Sequence, residues 1–236
     1  MEVEESFIAQ ALGNTVKKQS RTGLTDKERF LFKIYHGLIE LHSSLESLEA
    51  FEIYIGRFPY PGTSIKKSQY LRFIIESYLH EFYILKERTK TYITNVGRAY
   101  KNDYRHAEIM RKTKPMFKLI PDLFDDLLNA RGVHVHQSRY TDSDLDRLDA
   151  LELFKTLGTD MDDLFETLYQ DHYKETRKKW KRIIQKKNNS LMAVFDAIFY
   201  VLYTIVCTKN GNVRYPRVNK PNQSLKSGPR KQRAAT

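Results

Sequence analysis

Apolar residues along the chain recur at i, i+3 and i+4 in long runs, while the Val/Ile/Thr alternation of strands is scarce. That period predicts helices. Only 10 Gly and 7 Pro interrupt 236 residues, so the helices should be long. The expected fold class is all-α: an antiparallel helical bundle with long helices and a disordered basic C-terminal tail. Thr25-Asp26-Lys27-Glu28 has the form of a capping box, in which the Thr hydroxyl takes the N3 amide and the Glu reaches back, and it opens a helix through about Phe51. Phe58-Pro59-Tyr60-Pro61-Gly62 stops it. A second helix is predicted from about Ile65 to Tyr100, with Leu71, Ile74, Ile75, Tyr78, Phe82 and Leu85 on one arc facing the core.

Pro115 and Pro121 bracket the start of a shorter predicted helix ending near Asn129, after which comes Arg131-Gly132-Val133-His134-Val135-His136-Gln137-Ser138-Arg139-Tyr140. Thr141-Asp142-Ser143-Asp144 is the next N-cap signal, with Leu145, Leu148 and Leu151 behind it and an end at Leu157-Gly158. Thr159 is expected to cap a helix from Asp160 to about Lys187, acidic in its first turn and basic in its last, as the helix dipole favours. Leu191 to Cys207 carries a single charge, Asp196. Such a stretch is either a central buried helix or a short membrane span; a span usually needs about 20 residues, so the buried helix is expected. Asp196 would then pair with a buried Lys or Arg, because an isolated carboxylate there is costly. The organisation expected is an N-terminal segment (1–24), a helical domain (25–207) and a basic flexible tail (208–236).

Composition narrows the class. Cys207 is the only cysteine, which excludes a disulfide scaffold. The opening Met1-Glu2-Val3-Glu4-Glu5 has no apolar leader, so a cytoplasmic setting without membrane attachment is expected. The net charge of +11 is unevenly placed. Residues 1–170 hold 24 basic and 26 acidic groups, 171–187 hold eight and two, and 208–236 hold eight basic and none acidic. A near-neutral body with a basic helix and a basic tail suits a polyanion such as RNA. Lys178, Lys179, Trp180 and Arg182 on the helix, and Arg230, Lys231 and Arg233 in the tail, are the candidate RNA-binding residues; a solvated helix face and a solubilising tail are the plain alternatives. No Gly-rich phosphate loop, G-x-S-x-G elbow or H-E-x-x-H occurs, which removes P-loop enzymes, elbow-type serine hydrolases and zincins.

The chemistry concentrates between Arg131 and Tyr140. A His near pKa 6.5 exchanges protons at neutral pH, and an Arg holds a phosphate through its planar fork. Together they supply an acid or base and a charge clamp, which phosphodiester transfer requires. His134 and His136 form an H-x-H pair, but no third ligand completes a zinc set, so no metal or other cofactor is expected.

Arg131, four residues, then His136 matches the R-x-x-x-x-H motif, and the chain resembles the HEPN (higher eukaryotes and prokaryotes nucleotide-binding) family over roughly Asp26 to Phe165. The resemblance implies an all-helical bundle with the motif at a helix junction. It implies a metal-independent endoribonuclease acting as a homodimer, with Arg131 steadying the scissile phosphate and His136 exchanging protons with the 2′-hydroxyl or the leaving 5′-oxygen. His134, Arg139 and Tyr140 would support the site. Glu81 would be the acidic residue of an earlier helix. The resemblance further implies a toxin or antiviral defence role, with an antitoxin or other regulatory protein as a partner. Gly132 departs from the family, which commonly has a polar residue after the Arg. A non-catalytic helical module binding RNA, nucleotide or a partner protein is the other reading of the same motif.

Overall fold

The computed structural model describes residues 23–58, 60, 62, 64–132, 142–155 and 161–217, and only the backbone of residues 126 and 128–132. Among these residues the chain forms five helices: α1 (Asp26–Tyr54), α2 (Lys67–Ala99), α3 (His106–Gly132), α4 (Ser143–Phe154) and α5 (Asp162–Val206). The only β pairing among them is one antiparallel bridge between Cys207 and Val213. The fold is all-α.

The predicted capping box opens α1: Thr25 Oγ1 accepts from the Glu28 amide at 3.3 Å, and the Glu28 carboxylate accepts from the Thr25 amide at 2.7 Å. Phe30, Ile34, Leu41, Leu45 and Leu48 form its buried stripe. α2 returns antiparallel, with the Tyr70 hydroxyl donating to the Tyr54 carbonyl at 3.3 Å at one end and Gly37 against Tyr92 at the other. A Cβ on Gly37 would sit 2.4 Å from the Tyr92 ring, so only glycine allows this approach. Ser68, Tyr78, Phe82 and Tyr92 place α2 against four other helices, and it forms the centre of the bundle.

Three expectations change. Pro115 and Pro121 lie inside α3 rather than before it. Ile109, Met116, Ile120 and Phe124 are all buried and keep one stripe across both prolines. Each such side chain contributes about 1.5–3 kcal/mol when buried, so the four together offset two proline penalties of about 3 kcal/mol each. Second, the helices expected on either side of Lys187–Leu191 are one 45-residue helix, with its N-cap at Met161 rather than Thr159. Asn188, in the gap between the two expected helices, is buried and bonded to its neighbours. It accepts from the Tyr78 hydroxyl at 3.1 Å and donates to the Leu48 carbonyl at 3.0 Å and Glu52 Oε1 at 2.8 Å. An amide satisfied in this way does not compete with the helix backbone.

Third, the apolar segment 191–207 is two-sided. Leu191, Phe195, Ile198, Leu202, Ile205 and Val206 are buried. Met192, Asp196 and Tyr200 face outward, so Asp196 lies in solvent instead of pairing with a buried cation. By length and composition alone α5 could cross a membrane, and a third of its apolar window is buried in the bundle.

Cys207 is buried, and the chain beyond it is not a free tail at once. Residues 208–217 turn at Gly211 (φ 77°) and fold back as a strap. The Tyr100 hydroxyl donates to the Arg214 carbonyl at 2.6 Å, and the Arg217 amide to Asp103 Oδ2 at 2.7 Å. Tyr215 packs on Phe30 with Lys27 over its ring. Tail residues Arg230, Lys231 and Arg233 lie outside the described residues.

Candidate active site at the junction of α3 and α4

Arg131 lies on the last turn of α3. α3 runs antiparallel to α2, as Phe82 on Phe124 (centroids 4.8 Å apart) and, fifteen residues on, Gly97 facing the Met110 sulfur establish. Seven residues on from Phe124, two helical turns or about 10 Å, Arg131 returns to the same stripe of α3. That places its backbone opposite the stretch of α2 around Ile75. His134, His136, Arg139 and Tyr140 lie outside the described residues.

The chain re-enters at Asp142, whose Oδ1 accepts from the amides of Asp144 (2.9 Å) and Leu145 (3.2 Å) and caps α4. α4 then runs antiparallel along that same stretch of α2. Arg72 Nη2 reaches Asp146 Oδ1 at 2.9 Å and Asp149 Oδ2 at 2.7 Å, and Ser68 Oγ reaches Glu152 Oε2 at 3.5 Å. Both ends of the segment that carries the R-x-x-x-x-H motif are therefore fixed to one short length of α2.

Arg72 is the residue that sequence reasoning missed. Its side chain is only 10% exposed. Burial alone would ease its proton off, but the hydrogen bonds to Asp146 and Asp149 outweigh this and push its pKa above the usual arginine range. The readable signal was Asp146 and Asp149, three residues apart on one face of α4. α5 grips the first turn of α4 from the other side: Lys179 Nζ meets Asp144 Oδ2 at 2.6 Å, and His172 Nε2 lies 3.0 Å from the Asp144 carbonyl oxygen. The hydrogen bond to Asp144 raises the Lys179 pKa.

Of the expected supporting residues, Glu81 lies on the α1 side of α2, 3.7 Å from Arg88, which also meets Glu40 at 3.1 Å. The carboxylate nearest the level of Arg131 is Glu76, one turn from Arg72. Its Oε1 is shut off from solvent and accepts no hydrogen bond among the described residues. Glu76, Ser77, His80 and Glu81 of α2 line a cleft of about 550 Å³ with Ser47, Phe51 and Tyr54 of α1 and the ring of Phe73.

The basic face of α5 divides. Lys178 and Arg182 are exposed, and Lys179 is tied to Asp144. Trp180 corrects the expectation of an RNA-contacting residue, because it is 3% exposed and belongs to the core. Its indole follows the period of Tyr173, Thr176 and Ile184, the inward stripe of the helix.

Compared with known proteins, the chain matches no family model, no curated protein and no solved structure.

Proposed function

We propose that this chain is a HEPN-type, metal-independent endoribonuclease that works as a homodimer in the cytoplasm, with Arg131 and His136 as its catalytic pair. In this reading His136 takes the proton of the 2′-hydroxyl as the 2′-oxygen bonds to phosphorus. The bond from phosphorus to the 5′-oxygen breaks, that oxygen receives a proton, and a 2′,3′-cyclic phosphate remains. Arg131 neutralises the charge that builds on the phosphoryl oxygens. The two motifs of the dimer face one cleft, so one imidazole acts as base and the other as acid. A toxin or antiviral defence role, held in check by an antitoxin or other regulatory protein, follows from the same resemblance.

The observation that supports this reading most is the anchoring of both flanks of the motif on α2. Arg131 extends a helix whose inward stripe reaches Ile120 and Phe124, and Arg72 seats α4 at the same level. Two flanks supported by one helix are the kind of scaffold that positioning catalysis requires. Exposed Lys178 and Arg182 offer backbone contacts for RNA.

The test is incubation of the purified protein with total RNA in EDTA, followed by mapping of new ends. Cleavage leaving 2′,3′-cyclic phosphate supports the enzyme. RNA binding without new ends points to the non-catalytic helical module that binds RNA, nucleotide or a partner protein.

A further inference from the structure

We infer that the cleft between the N-terminal half of α1 and the C-terminal half of α2 is a docking groove for this chain's own N-terminal segment, residues 3–12. The cleft has a volume of about 540 Å³ and is lined from residues 32–40 of α1 and 83–95 of α2. At 1.5 Å per residue those stretches are about 12 Å and 18 Å long. Phe32 is 51% exposed and Tyr83 43% exposed on its walls. Gly37, set against the Tyr92 ring, brings no side chain to fill it. Large rings left open to water along one groove mark a surface that another element covers.

The charges in the cleft are mostly paired with one another. Arg88 meets Glu40 at 3.1 Å, Glu87 meets Lys90 at 2.9 Å, and His36 lies 4.0 Å from Glu40. Thr91 and Asn95 add uncharged polar groups toward one end. Of the charged lining, Lys33 alone pairs with no carboxylate among the described residues. The groove therefore suits an amphipathic helix with an acidic end, which needs apolar walls and one free cation rather than a set of converging polar groups.

Residues 3–12, outside the described residues, have that pattern in sequence. Phe7, Ile8, Ala11 and Leu12 recur at helical spacing. Glu2, Glu4 and Glu5 stand at the start, where the helix dipole favours acid, and Gly13 follows as a stop. Ten helical residues are about 15 Å long, which matches the cleft. On a helical wheel Glu4 shares the apolar arc one turn before Ile8, so it enters the groove with that face and meets Lys33. The reach is sufficient. The described chain begins at Gly23, three residues before α1, and the nine residues 14–22 extend up to about 30 Å. The cleft opens at Phe32, about 9 Å along α1, whereas the other cleft between the same helices starts at Ser47, about 30 Å along.

Docking does not depend on ribonuclease activity, and nuclear magnetic resonance of the full chain tests it with a nitroxide attached at Ser6→Cys, on the polar side of the segment. Cys207 is buried and stays unlabelled. Amide signals of residues 32–40 and 83–95 should broaden, and those of α4 should keep their intensity. Phe7→Asp/Leu12→Asp should abolish the broadening and leave the helical circular dichroism of the bundle intact. In a mixture of spin-labelled chain with unmodified, isotope-enriched chain the broadening should vanish, because the contact is within one molecule. Broadening that persists in the mixture gives the groove to a second copy, and broadening centred on Ser47 and His80 gives the segment to the other cleft. Either result overturns the inference, as does uniform weak broadening or broadening that survives the double variant.

Discussion

The seat of α4 on α2 gives an asymmetry that can be measured. Arg72 is 10% exposed, while its partners Asp146 and Asp149 are 52% and 46% exposed. Water therefore still solvates the anions but scarcely reaches the cation. Each hydrogen bond to a charged group contributes about 1.5–3 kcal/mol when sheltered, and half-exposed partners bring this down to about 1 kcal/mol each. Arg72→Met gives up both contacts but also removes a buried guanidinium and its desolvation penalty, so the net loss should be only about 1 kcal/mol. Removing both anions instead leaves a buried cation without its two carboxylates, at a cost of about 3–5 kcal/mol. At roughly 2–4 °C per kcal/mol for a chain of this size, the double variant Asp146→Ala/Asp149→Ala should melt about 10 °C below wild type and Arg72→Met only about 3 °C below. Urea unfolding at low salt, with the three-way combination closing the cycle, gives the coupling directly. A double aspartate variant no less stable than Arg72→Met would refute the reasoning, because it would mean that Arg72 is solvated or held by other groups.

Gly37→Ala should destabilise by about 1–3 kcal/mol, since its Cβ would collide with the buried Tyr92 ring, and thermal melts check it. Asp103 is fully buried and accepts from the Arg105 amide and guanidinium and the Arg217 amide. Burial pushes its pKa up, but these bonds win and hold it below the usual carboxylate range. Its contribution is thus present above about pH 4 and lost as pH falls through the lowered value, so the hydrogen-exchange protection factors of residues 208–217, corrected for the intrinsic rate at each pH, should hold at neutral pH and fall only in acid. Removing residues 218–236 should flatten the salt dependence of RNA binding without lowering the melting temperature, whereas removing 208–236 should lower it as well, because the strap is lost. His136→Ala and Arg131→Ala should each cut RNA cleavage by about 10²-fold or more at unchanged stability, which melts run beside the assay would check.

Most of the bundle was legible because its signals are local. The Thr25–Glu28 box and the Asp142 cap are each complete within four residues, and the stripe of α2 is a simple period. What failed was non-local. Nothing local joins the two expected helices across Asn188, whose amide is satisfied only when Tyr78, Leu48 and Glu52 are brought to it by two other helices. Pro115 and Pro121 look like boundaries until α2 covers the stripe that crosses them. The strap could not be read at all, since its partners Tyr100 and Asp103 are 114 residues away in the chain.

The site follows the same division. Arg131 and His136 announce themselves by spacing, but nothing in a sequence says which carboxylate of a long helix stands level with them. On a helical wheel Glu81 borders the apolar arc and looks the better candidate, because a wheel gives an angle and no height. Height comes from the antiparallel register of α2 and α3, fixed by Phe82 on Phe124 and Gly97 against Met110. That register puts the end of α3 level with Arg72 and Glu76, and leaves Glu81 more than a turn away, engaged with Arg88. The same step explains Arg72: a cation on a helix of many charges is unremarkable until a second helix presents two carboxylates to it.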